Sequence, residues 1–135
     1  MANLLKCDIV APDKMLFRGE GVLISAPAAE GDVGFMHQCA PLMSILRRGS
    51  VRIKSDNDEM RVFAVDGGYI EADGSKVVVL ASRAIDVADI DPAISQQRIA
   101  DNQQHIAQLP DGDPALAFAQ SEIAWQQHLL QLKTG

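Results

Sequence analysis

The sequence predicts an all-β domain, a sandwich or barrel, followed by an antiparallel pair of helices. Three observations predict it. Positions 1–88 hold short runs in which apolar and polar residues alternate. Turn residues punctuate those runs at the spacing expected of sandwich strands. Beyond them the same Asp-Pro-Ala signal occurs twice, at Asp91-Pro92-Ala93 and Asp113-Pro114-Ala115.

In the first part, Leu5, Cys7 and Ile9 alternate with Lys6 and Asp8, and Val51 and Ile53 alternate with Arg52 and Lys54. Each set implies one buried face and one wet one. Gly19-Glu20-Gly21, Asp56-Asn57-Asp58, Asp66-Gly67-Gly68 and Asp73-Gly74 read as turns. They supply positive-φ positions and side chains that bond nearby backbone. After Asp89 the period becomes helical. Aspartate serves as N-cap, and proline follows at the first helical position, where its missing N–H costs nothing. Leu109-Pro110-Asp111-Gly112 breaks the segment into helices over roughly 92–108 and 114–132. So short a loop makes them antiparallel. The expected division is therefore 1–88, β-sandwich, and 89–135, helical hairpin.

The helix faces carry information about burial. On the second helix, Leu116, Ile123 and Leu130 form one seven-spaced row, and Phe118, Trp125 and Leu132 form another on the far side. The first helix offers a single stripe, Ala93, Ala100 and Ala107 beside Ile99 and Ile106, enough to cover one of those rows. The other row needs a second surface: the sandwich, a partner, or each in turn. Docking on the sandwich is the plainer reading, because a helix apolar on two sides is usually buried.

Charge excludes some functions. The net charge is −6, which opposes direct binding to nucleic acid or an anionic membrane. Aromatic residues make up 4% of the chain, too few for base stacking. Positions 89–135 hold six acids and two bases, so the hairpin is an acidic arm. No apolar run approaches the length of a membrane span, so no direct lipid insertion is expected. No basic stretch followed by an apolar one opens the sequence, which reads as cytosolic. Cys7 and Cys39 lack metal or redox spacing and read as reduced thiols, one in a strand and one in a loop.

Catalytic chemistry is hard to assemble. His37 and Cys39 are near enough for a thiolate–imidazole pair, but no third residue orients them. His105 and His128 read as surface residues, and no set of ligands suggests a metal. Phosphate-cradling glycine motifs are absent, and Glu30-Gly31-Asp32-Val33-Gly34 would repel a phosphate, so no cofactor is expected. From the residues alone the chain is an interaction protein with an unnamed partner.

From Glu30-Gly31-Asp32-Val33-Gly34-Phe35-Met36 through Ala40-Pro41-Leu42 and on to Gly49, the chain resembles the epsilon subunits of bacterial F-type ATP synthases. Their loop reads E-G-x-x-G-[IF]-[LM]-P-x-H-A-P-L. Asp8-Ile9-Val10-Ala11-Pro12 with Leu16-Phe17 and Gly19 resembles the family's opening strands, and Gly67-Gly68-Tyr69-Ile70-Glu71 its G-G-[FY]-x-E motif. Val77-Val78-Val79-Leu80-Ala81 resembles the strand V-T-V-L-A, and Gly112-Asp113 through Lys133 fits the last helix.

The resemblance implies about ten strands in the sandwich and a non-catalytic rotor subunit. Such a subunit joins the gamma shaft to the c-ring and couples proton flow to ATP synthesis, at the cytoplasmic face of the bacterial plasma membrane. It implies c-ring contact through Glu30, Gly31 and Asp32, and gamma contact through His37, Cys39, Pro41, Leu42 and Ser44. The catalytic beta subunit is a further partner reached by the arm. Phe118, Trp125 and Leu132 would hold the arm folded on the sandwich.

Three departures from the family pattern stand out. His37 takes the place of a proline and Cys39 that of a histidine. In the ATP-binding motif I-D-x-x-R-A, the chain has Ile90, Asp91 and then Ile94 in place of the arginine, so ATP binding is not expected. Inhibitory arms use basic side chains, and this acidic one is expected to inhibit weakly. A free-standing nucleotide-sensing or protein-interaction module of the same fold is the alternative.

Overall fold

A computed structural model describes residues 3–135. The chain divides into two compact units, the first ending at Asp86 and the second running Val87–Gly135.

The first unit is built of eight strands: β1 (Leu5–Ala11), β2 (Lys14–Gly21), β3 (Leu23–Ala28), β4 (Gly31–Phe35), β5 (Leu42–Ile45), β6 (Gly49–Lys54), β7 (Met60–Ala72) and β8 (Lys76–Asp86). The hydrogen-bonded order is β2-β1-β8-β7-β6-β3-β4, with β5 also paired to β7. Every pairing is antiparallel except β1 with β8. The count is eight where about ten were expected, because β7 and β8 run unbroken for 13 and 11 residues.

β7 explains how one sheet encloses a core. Its first half, Met60–Val65, pairs with β6, and its second half, Tyr69–Ala72, pairs with β5. β8 stays in one register along both halves, from Phe63↔Asp86 to Ala72↔Val77. The change of partner falls at Gly67 and Gly68, with φ of 73° and 113°. These glycines were expected to reverse the chain; they lie inside the strand. Gly19-Glu20-Gly21 likewise ends β2 and makes no turn between strands. A bend and a reversal need the same backbone freedom, so the residue types do not separate them. The turns expected at Asp56-Asn57-Asp58 and Asp73-Gly74 are present.

The sheet folds over a core of Leu5, Cys7, Ile9, Ile24, Phe35, Leu46, Val51, Ile53, Phe63, Val65, Ile70, Val77 and Val79. Phe17 on β2 reaches Phe63 on β7, with ring centroids 5.5 Å apart, although the two strands share no hydrogen bonds. The Arg61 guanidinium lies over both rings at 5.3 and 5.2 Å and pairs with Asp86 at 2.7 Å. Burial in this core pushes the Cys7 thiol up to about 12, with Asp8 adding to the effect. It stays a protonated, inert filler.

Asp8 was expected to be wet, and it does point away from the core. It is nonetheless only 7% exposed, because Lys76 Nζ lies 3.0 Å and Arg18 Nε 3.3 Å from its carboxylate. Lys76 comes from β8, the parallel neighbour, a partner that local alternation cannot anticipate.

The second unit opens with a short 3-10 turn, Val87–Asp89, followed by α1 (Pro92–Gln108) and α2 (Pro114–Thr134). Asp91 and Asp113 cap them as expected, accepting from Ala93 N at 3.0 Å and Ala115 N at 2.9 Å. The two helices pack together. The end of α2 returns to the start of the unit, where Lys133 Nζ donates to the carbonyls of Val87 and Ala88.

The covered stripe of α1 is Pro92, Ser95, Ile99, Asn102 and Ile106, continued by the cap residue Leu109, at alternating spacings of three and four. Ile99 and Ile106 belong to it as expected, but Ala93, Ala100 and Ala107 are exposed. The alanines offer little apolar area, so burial favours the flank with the isoleucines. On α2 the most buried residues are Ala119, Trp125, Gln126 and Leu129. Gln126 donates to Glu122 Oε1 at 3.1 Å, which satisfies its amide. His128 was expected to be exposed; it is half-buried, with its ring 5.8 Å from that of Trp125.

Two outcomes follow for the β unit. A Cβ at Gly68 would sit 1.9 Å from the Leu80 carbonyl oxygen, at a φ that L side chains rarely adopt. Gly68→Ala should therefore destabilise the domain by about 3 kcal/mol, read by chemical denaturation; unchanged stability would contradict the crossing described for β7. Asp8 is held below its ordinary 3.8 by the hydrogen bond from Lys76 and by Arg18, against the opposing effect of burial. A depressed carboxylate stabilises fully above its unfolded value and loses that contribution as pH falls through the folded one. Asp8→Asn should cost about 1–2 kcal/mol at pH 7, since both cations are solvent-screened. The difference from wild type should narrow as pH falls below the ordinary carboxylate value of 3.8 and through the lower folded one; a gap independent of pH would refute the ion-pair account.

Candidate functional site

β3 and β4 form a two-residue hairpin. Ala28 faces Gly31 across the turn Ala29-Glu30, and Gly31 takes φ of 140°. Glu30 and Asp32 therefore project at an exposed tip. Asp32 is not a free carboxylate, because Arg47 Nη2 lies 3.3 Å from it. Among the described residues Glu30 has no ion pair, so the net negative charge of the tip rests on it.

The tip is fastened from β5 and the two residues that follow it. Ala29 N donates to Ser44 Oγ at 3.0 Å, and Ser44 Oγ donates to Ile45 O. Arg47 Nε donates to Ala28 O at 2.5 Å, Arg47 N donates to Pro27 O at 2.8 Å, and Ala28 bridges Leu46. Ser44, expected on a partner-facing segment, is thus committed to the hairpin.

His37 to Leu42 leads into β5. Cys39 N donates to Met36 O at 3.0 Å, closing a β-turn with Gln38 at φ of 66°. That is the pattern of a type II turn, with His37 at the position where proline is common. Gln38 N donates to Gly74 O at 2.7 Å, which docks the turn on the β7–β8 corner. The loop shape that a proline would preset is held here by backbone bonds. Cys39 and Leu42 lie half-buried against the core, while Pro41 is exposed. Leu42 thus packs on the interior.

The alternation of β5 turns Met43 and Ile45 outward, and they are 70% and 60% exposed. Sequence reasoning missed both. They begin two rows across the outer face of β5, β7, β8 and β1. Register places Ile45, Tyr69, Leu80 and Val10 in one row and Met43, Glu71, Val78 and Asp8 in the next. Tyr69 and Leu80 are also largely exposed. A hollow of about 210 Å³ is lined by Met43, Tyr69, Ile70, Glu71, Val78 and Leu80. Another, of about 270 Å³, lies on the other flank of Tyr69 and Leu80, toward Val10 and Pro12. A contiguous apolar face of this kind is what a protein partner covers. The signal available in the sequence was an apolar residue at six of these eight outward positions, all but Glu71 and Asp8, where alternation calls for a polar one.

On the helical unit, Ile90 is buried, Asp91 is used as a cap, and Ile94 is exposed. Along the expected docking row, Phe118 is 69% exposed, Trp125 is 6% exposed and Leu132 is half-buried. No cluster of three His, Cys, Asp or Glu side chains suited to a metal occurs among the described residues. No helix of these residues is long and apolar enough to cross a membrane.

Comparison with known proteins agrees with this architecture. Residues 4–87 match the family model for the beta-sandwich domain of the ATP synthase Delta/Epsilon chain. The ATP synthase epsilon chain of Alkalilimnicola ehrlichii is 37% identical over 132 residues, covering 98% of this chain and 92% of that one. That of Halorhodospira halophila is 35% identical over 133 residues, with 98% and 92% covered. A chain in the Euglena gracilis mitochondrial ATP synthase structure of OSCP, F1 and c-ring superposes with a TM-score of 0.77 at 13% identity, covering 96% of this chain and 81% of that one. One from the central stalk and c-ring of the Tetrahymena thermophila enzyme gives 0.55 at 14% identity, with 96% of each chain covered. A β-sandwich matched to the family model, two capped helices and full-length relatives in several bacteria make this chain a member of the ATP synthase epsilon chain family.

Proposed function

We propose that the chain is a non-catalytic rotor subunit of the central stalk, with gamma on the apolar face of β5, β7 and β8 and the c-ring at the Glu30 tip. The observation that carries this reading is the arrangement on β5 and the two residues after it. Met43 and Ile45 point into the apolar face, while Ser44 and Arg47 brace the acidic hairpin. One short strand therefore serves two surfaces of opposite chemistry. An apolar surface suits a tightly held shaft. An exposed carboxylate suits a polar contact in which charge sets register more than affinity.

Gamma contact thus shifts from the inward residues of the His37–Ser44 segment to Met43, Ile45, Tyr69 and Leu80, with Pro41 at the margin. His37 and Cys39 act through the turn that positions β5. Coupling follows mechanically: what turns the ring turns the hairpin, the strand and the shaft together. The complex would sit at the cytoplasmic face of the bacterial membrane.

The helical unit is assigned a regulatory place with weak inhibition. Its net charge of −4 over positions 89–135 opposes docking on an acidic segment of beta. Trp125 is the anchor of its folded state, and Phe118 is free to contact a partner.

Leu80→Asp should weaken gamma binding more than about 100-fold by placing a charge in the buried centre, with the fold retained by circular dichroism. Glu30→Ala should leave gamma binding intact and reduce ATP-driven proton pumping in assembled complexes. Full gamma affinity in Leu80→Asp would move the interface elsewhere. Truncation after Ala88 should change ATP hydrolysis by less than about two-fold, and titration with ATP should give no micromolar binding heat. A several-fold rise in hydrolysis, or micromolar affinity, would overturn the assignment of the arm.

A further inference from the structure

The outer row Met43, Glu71, Val78 and Asp8 carries two carboxylates in different circumstances. Asp8 is neutralised by Lys76 at 3.0 Å and Arg18 at 3.3 Å. Glu71 is exposed, and no basic group pairs with it among the described residues. Lys76, on the same strand as Val78, is committed to Asp8. Glu71 lies in the wall of the hollow made with Met43, Tyr69, Val78 and Leu80. A partner that covered this face with apolar groups alone would bury an unpaired carboxylate, which strongly opposes docking.

We propose that the hollow is a socket for one arginine side chain of the partner. The inference rests on the reading that gamma covers this face, and it specifies the chemistry of that contact. At about 210 Å³ the hollow is smaller than the roughly 300–1,000 Å³ of small-molecule sites, and it suits a single long side chain. The methylene stem would run along Met43 and Leu80. The guanidinium would take the Glu71 carboxylate through paired N–H donors and lie against the Tyr69 ring. Lysine is the poorer occupant, because its ammonium is more strongly hydrated and lacks the planar fork that stacks.

The test is calorimetric titration of the full chain with gamma across a salt series, comparing wild type with Glu71→Gln, Glu71→Lys and Leu80→Asp. Both positions are exposed, and folding is checked by thermal melting. Glu71→Gln should bind about ten-fold more weakly and show a shallower dependence on salt. Glu71→Lys should lose more than about 100-fold and regain binding when one gamma arginine is changed to glutamate. If both Glu71 variants bind like wild type while Leu80→Asp fails, the face is the gamma site but holds no arginine. If Leu80→Asp also binds like wild type, the underlying reading falls as well. Rescue obtained only by reversing a gamma lysine would overturn the choice of arginine. A self-association of the chain lost in Glu71→Gln would give the socket to a second copy and overturn the proposal.

Discussion

The β unit depends on one backbone constraint, the close approach of Gly68 to the Leu80 carbonyl. There β7 leaves β6 and takes up β5 without losing its register with β8. Because β8 follows it through both halves, a single hydrogen-bonded path wraps a core with few open edges. Leu46 N donates to Gly68 O at 2.8 Å, so the carbonyl freed at the crossing is satisfied by the residue just after β5. The position of β5, and hence of everything it carries, is set by that crossing.

Polar groups hold the less obvious parts of the structure. The hairpin tip is braced by a hydroxyl and a guanidinium, and the turn before β5 by two backbone bonds. In the helical unit a buried glutamine is matched to its neighbour at i−4, and the last turn of α2 is tied by Lys133 to the 3-10 turn. Each of these fixes geometry where apolar area alone would leave several packings nearly equal in energy.

What was legible in the sequence follows from how local each cause is. The helix starts were legible because Asp91 and Asp113 cap residues two positions away. The buried faces of β1 and β6 were legible from alternation over six or seven residues. β5 was not. Its four residues, Leu42-Met43-Ser44-Ile45, hold an apolar residue in either phase, so the outward pair emerges only when β7 fixes the register. The fate of Asp8 was hidden because Lys76 is far away in the chain and adjacent only across a parallel pairing. The alanine row of α1 misled for a different reason. A seven-residue repeat marks a line on the helix but not which flank of that line is covered.

The outward side chains of β5 belong to the apolar face while its Ser44 holds the acidic β3–β4 tip, and the strand itself is hydrogen-bonded into the sheet. A body gripped at the face and another touched at the tip would share one angular reference. Slippage between them would require tearing strand pairings, because there is no flexible joint to turn. In the proposed stalk the domain would act as a key seated between two parts, passing phase as faithfully as force.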